Sequence, residues 1–205
     1  MYAPLLPFGL RPAARRRPFP AFWYNPSVKM MIKLPPPVHG LLGILRSEVG
    51  PEVLPSSSFL LKLSLGLFVV SEFAVKLPTH SFFGAIGIGI TAAALLALFA
   101  ALVAKLLDHD ERLAQTLTAL AFVGAIVALI NFFFRFILVL GFGFIGDELP
   151  AQELASFLLF PIFLWNVILF ASIYRRAFSL GLILSFALSI AYLLILFFWI
   201  PHFFK

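Results

Sequence analysis

Residues 82–107 read FFGAIGIGITAAALLALFAALVAKLL, and this stretch decides the fold. It carries one charge, Lys105, close to its end. A helix crosses the hydrocarbon core of a bilayer with roughly 20 mostly apolar residues, so the segment is long enough to span. A helix also satisfies every backbone N–H and C=O within itself, which lipid requires. Barrel strands would alternate polar and apolar residues, and nothing here alternates. Four more stretches of the same kind follow from reading outward: Ser57–Val75, Thr116–Leu140, Ala155–Ile173 and Leu180–Ile200. With 62% hydrophobic and 12% charged residues in a chain of 205, the gaps between them leave no room for a folded soluble domain. The expectation is an all-α, polytopic membrane protein whose five transmembrane helices occupy about 57–75, 82–107, 116–140, 155–173 and 180–200.

The basic residues orient that bundle. Arg11, Arg15, Arg16, Arg17, Lys29, Lys33 and Arg46 precede the first span. Lys105 and Arg112 flank the second gap, and Arg175 and Arg176 lie in the fourth. The other side has Lys76 and Lys205, while the third gap, Gly141–Glu153, holds Asp147, Glu148 and Glu153 and no base. Lys and Arg concentrate on the cytoplasmic side. An odd number of crossings follows, with the N-terminus inside and the C-terminus outside.

Residues 1–36 are rich in Pro and Arg and hold no acid, a composition that cannot bury enough surface to offset its ordering entropy. Disorder is expected there, with Met30 or Met31 as an alternative start. Arg16-Arg17-Pro18-Phe19 as a twin-arginine signal and the whole stretch as a transit peptide are the weaker readings, because the apolar region and the amphipathic helix they need are missing. In the linker 37–56, Val38, Leu41, Leu42, Leu45 and Val49 recur at helical spacing and predict a short helix in the cytoplasmic interface, ended by Gly50-Pro51. The formal charge of +6 comes mainly from this N-terminal region and implies contact with anionic headgroups rather than nucleic acid.

Within the bundle, Ala85, Gly89, Ala93, Ala97 and Ala101 recur every four residues in the second span and predict a helix-packing face, since small residues let backbones approach closely in lipid. Gly181, Ser185 and Ser189 repeat the pattern in the fifth span, and Gly124 and Ala128 in the third. Such a face serves packing within one chain first and oligomerisation second.

Ionisable groups inside a membrane are functional suspects. Lys62, near an end of its span, snorkels to the headgroups. Glu72 and Arg135 lie at similar depth near the outer ends of spans one and three, with Asn131 one turn before Arg135. They are expected to pair, directly or through Asn131, and to tie the two spans together; a proton or anion path through the same three residues is the alternative. Lys76, four residues after Glu72, competes for it. Pro161 is expected to kink span four, with Asn166 capping the exposed carbonyls or bonding across helices.

Chemistry of other kinds finds no support. Asp108-His109-Asp110-Glu111 suggests a metal site, but consecutive residues cannot all converge on one ion, and Asp108 with Glu111 matches a capping box. The chain has no Cys, no Gly-x-Ser-x-Gly elbow, no His-Glu-x-x-His and no phosphate loop. No catalytic residue, metal or cofactor is predicted.

Leu45-Arg46-Ser47, Gly50-Pro51 and Leu54-Pro55-Ser56 ahead of span one, Arg112-Leu113-Ala114-Gln115-Thr116-Leu117-Thr118-Ala119-Leu120 entering span three, and Leu164-Trp165 in span four carry a resemblance. Over about residues 41–200 the chain resembles the Yip family of small multi-span membrane proteins, and more closely a group of proteobacterial inner-membrane proteins of similar layout. The resemblance implies a fold and a location, not an activity. The function expected is non-enzymatic: interaction, scaffolding or assembly in a membrane complex, with other membrane proteins or a second copy as partners. The alternative is a small transporter or channel subunit with a polar path at Glu72, Asn131 and Arg135.

Overall fold

The first two long helices each begin on a serine whose hydroxyl accepts a backbone N–H three residues on, Ser57 from Leu60 and Ser81 from Gly84. A computed structural model describes residues 36–142 and 151–204, and among them every regular element is a helix or helical turn. The expected tail, and most of the acidic third gap, lie outside the described residues. In chain order the helices are α1 (Pro36–Leu45), α2 (Ser58–Lys76), α3 (Phe82–Leu106), α4 (Leu113–Phe142), α5 (Ala151–Ala177) and α6 (Leu182–Leu194). Short 3-10 turns occupy Pro51–Val53 and Asp110–Arg112.

Four helical segments are long and apolar enough to cross a membrane: Ser58–Lys76, Phe82–Leu106, Asp110–Leu138 and Leu159–Ala177. The fifth predicted span is shorter as a regular helix. Ser179, with φ 53°, turns the chain between α5 and α6, so the helix begins after Gly181 rather than at Leu180. After 13 residues it rewinds into a π turn at Ile195–Trp199 and a 3-10 turn at Ile200–Phe204. Pro201 carries no N–H and cannot continue the α-helical ladder there. Pro161 lies inside α5, and the helix continues through it.

The central element is α4, packed against α2, α3 and α5, while α6 closes on α5. Thr116, Leu117, Thr118, Ala119, Leu120, Ala121 and Val123 of α4 are all buried, because the helix has neighbours on several sides. Large apolar side chains cover the outside instead, among them Phe59, Phe83, Leu98, Phe157, Ile183 and Phe198. A contiguous apolar surface of this kind needs lipid or protein around it.

Small residues set the tightest contacts. A Cβ on Gly89 would sit 2.7 Å from the carbonyl oxygen of Val69, so α2 and α3 approach backbone to backbone. A Cβ on Gly124 would sit 2.8 Å from the Phe68 ring. The face predicted from Ala85, Gly89, Ala93, Ala97 and Ala101 twists in the folded helix. Ala85 and Gly89 are buried, whereas Ala93, Ala97 and Ala101 are half-buried. Each four-residue step rotates about 40° past a full turn, so a strict spacing of four drifts off any straight face. The buried stripe runs through Ala85, Ile88, Ala92, Leu96, Ala100 and Val103.

The predicted interfacial helix is α1, which begins at Pro36 and leans on the ends of α4 and α5. It buries Leu41 and Ile44 against the bundle and leaves Val38 and Leu42 exposed. Its end, and those of α3 and α5, share one device: Ser47, Asp108 and Ser179 adopt φ of 56°, 52° and 53°. The following N–H then reaches back five residues, Glu48 to Gly43, His109 to Ala104 and Leu180 to Arg175. Asp108 therefore closes α3; no side-chain capping bond starts the turn that follows, and the capping-box reading is corrected.

Candidate functional site

Serine and threonine in an apolar helix bond to their own backbone when nothing better is near. The Ser71, Thr116, Thr118, Ser185 and Ser189 hydroxyls all donate to a carbonyl four residues back, at 2.7–2.9 Å. These groups are internally satisfied. The buried polar atoms left over converge elsewhere.

Glu72, Asn131 and Asn166 line one small cavity of about 20 Å³ between α2, α4 and α5, beside the π turn. Gly124 and Ala128 open the space, and Phe68, Phe170 and Phe197 wall it. A volume of this size holds about one water molecule. Glu72 and Asn166 are each 6% exposed, and the Asn166 Oδ1 has no hydrogen-bond partner in the protein. Two tyrosine hydroxyls, of Tyr174 and Tyr192, are also buried without a partner. Their rings belong to an aromatic stack: Phe170 lies 5.5 Å from Tyr192, and Phe99 lies 5.7 Å from Tyr192 and 6.3 Å from Tyr174.

The structure thus brings together two of the three polar residues predicted from sequence. Arg135 is exposed and turns back along its own helix, its Nε donating to Asn131 Oδ1 at 2.9 Å. It does not line the cavity. Lys76 lies one turn beyond Glu72 along the same helix, and the Arg135 side chain bonds to Asn131. Lys76 sits 5.9 Å from the centre of the Phe197 ring. A long guanidinium near a helix end keeps its hydration more cheaply than it enters an apolar interior, which explains the outward placement. Asn166 enters the site in place of Arg135. Sequence reading assigned Asn166 to a neighbouring proline and missed Tyr174 and Tyr192, since no spacing rule marks which tyrosines point inward.

The opposite end of the bundle is polar in a different way. Arg112 Nη1 donates to Ala177 O at 2.9 Å, and Gln115 Nε2 donates to Leu54 O at 2.7 Å. Arg176 donates to both Glu48 O (2.7 Å) and Ser47 O (2.6 Å). Arg112 and Arg176 thus satisfy helix-end and loop carbonyls that have no helical partner. His109 bonds to Leu107 O. Among the described residues, no three His, Asp or Glu side chains are grouped to hold a metal. The chain matches no protein-family model, no curated protein and no solved structure.

Proposed function

We propose that this chain is a non-enzymatic integral protein of the bacterial inner membrane, with an interaction, scaffolding or assembly role. In this reading it crosses five times, N-terminus inside and C-terminus outside, with α6 and its rewound end as the last crossing. Kinship with Yip-like proteins belongs to the same reading and rests on the sequence motifs.

The observation that carries it is the nearly filled space around the buried polar residues, beneath many exposed apolar side chains. The cavity at Glu72 has room for about one water and is walled by phenylalanines, while the helix hydroxyls are bonded to their own backbones. Outward, bulky apolar side chains from α2, α3, α5 and α6 face the surroundings, the setting in which helix-to-helix partners are recognised in lipid.

The second reading, a transporter or channel subunit, draws on Glu72, Asn131 and Asn166 sharing one cavity. Reconstitution of the purified chain in liposomes holding a pH-sensitive dye separates the two. The interaction reading expects proton flux equal to that of empty liposomes, together with migration above monomer mass when native membranes are solubilised gently. Flux abolished by Glu72→Gln, from a monomeric species, selects transport. Orientation is checked by single cysteines in this Cys-free chain: Thr79→Cys is expected to react with an impermeant maleimide from outside, and Arg46→Cys is not.

A further inference from the structure

A second cavity, of about 640 Å³, opens at the basic end between α5, α6 and the turn after α1. Its upper wall is polar, formed by Arg175, Arg176, Ser47, Ser172 and Ser179, and no acidic residue lines it. Its lower wall is apolar and follows the helices toward the middle of the bundle through Ile168 and Phe186. From Ile168 to Arg175 the helix rises about 10 Å, so the two walls are stacked along the direction in which a lipid lies.

The two arginines have different tasks. Arg176 is committed to the carbonyls of Ser47 and Glu48, which fixes its guanidinium at the rim. Arg175 is exposed, and its guanidinium makes no hydrogen bond or ion pair among the described residues. Its five donors are left for an incoming group, and a guanidinium matches phosphate oxygens in a two-point contact. Leu180 and Leu182, on either side of the Gly181 that starts α6, line the same cavity.

We infer that this cavity binds the phosphate headgroup of an anionic phospholipid, with Arg175 as the primary ligand and an acyl chain lying along Ile168 and Phe186. A soluble anion would use the upper wall alone. The apolar lower wall, at the level of the lipid-facing α5 and α6 surfaces, favours a lipid. The inference rests on the membrane placement in the proposed function, but not on the interaction role.

The test is native mass spectrometry of the full chain in mild detergent, titrated with phosphatidylglycerol or with phosphatidylcholine of the same chains. Phosphatidylglycerol is expected to bind about tenfold more tightly. Arg175→Gln lowers its affinity about tenfold and Arg175→Lys by less, while Lys105→Gln, at the same end but outside the cavity, leaves it unchanged. Equal binding of the two lipids, or equal losses in Arg175→Gln and Lys105→Gln, overturns the site. Displacement of phosphatidylglycerol by millimolar inorganic phosphate makes it a free-anion site and overturns the lipid assignment. Because the Arg175 guanidinium bonds to nothing among the described residues, its variants are expected to elute as the parent does; should Arg175→Gln not fold, the two-lipid comparison and the phosphate displacement still decide. Loss of lipid preference in a chain that only detergent extracts removes the site alone, whereas release by alkaline carbonate removes the membrane reading as well.

Discussion

The two ends of the bundle are held by different physics. At the basic end, Arg112, Gln115 and Arg176 bind backbone carbonyls 61 to 129 residues away in sequence, stitching the linker, α4 and α5 together. At the other end, the polar contacts among the described residues stay local: Arg135 bonds to Asn131 four residues before it, and Thr79 to the Lys76 carbonyl. Aromatic edges such as Phe73–Phe82 and Phe163–Phe197 and close backbone approaches do the joining there. Where loops emerge among polar neighbours, long-range hydrogen bonds are available; where helices meet in an apolar layer, shape complementarity has to suffice.

The largest effect is expected where shape alone decides. Gly89→Leu places a side chain where only 2.7 Å separates Cβ from the Val69 carbonyl oxygen, and α2 must move. A loss of about 3 kcal/mol is expected from overpacking, read as a lowered unfolding temperature in detergent. Gly89→Leu with unchanged stability would mean that the α2–α3 contact is loose.

Next comes the stitching itself. Arg176→Ala removes two charge-assisted bonds and is expected to cost about 2 kcal/mol, while Arg135→Ala, which breaks only a bond within α4, costs about 0.5 kcal/mol or less. Similar losses from both variants would erase the contrast between the ends.

A smaller effect sharpens the interior. Asn166 has an unpartnered buried oxygen, so Asn166→Leu is expected to be neutral or to stabilise by about 1 kcal/mol. A destabilisation above about 2 kcal/mol, measured by the same unfolding scan, would show that Asn166 has a strong partner such as a bound water shared with Glu72. The smallest effect tests the helix ends: Ser179→Gly relieves a positive φ and is expected to gain about 0.5 kcal/mol.

Much of the helix layout was legible from hydropathy. Predicted and observed spans agree within about four residues for the four long helices, because long apolar runs admit one solution in lipid. The fifth differed because its ends depend on a left-handed turn at Ser179 and a proline-linked rewinding, neither of which appears as a change of hydropathy. Along the Ala85–Ala101 pattern, Ala85 and Gly89 are buried and Ala93, Ala97 and Ala101 half-buried, since a four-residue repeat drifts around a 3.6-residue helix. Glu72 and Asn131 were legible as suspects from cost alone. Their neighbour Asn166, and the outward turn of Arg135, were not, because depth along a helix says nothing about which way around it a side chain points.

By itself, then, the sequence determined helices, their approximate lengths and the clustering of charge between them, all properties of single segments meeting an apolar solvent. The tertiary structure alone decided which polar atoms share a cavity, which small residues touch, and that Arg176 is occupied while Arg175 is free. Those outcomes depend on rotation about each helix axis, and that rotation is set by packing against neighbours distant in the chain.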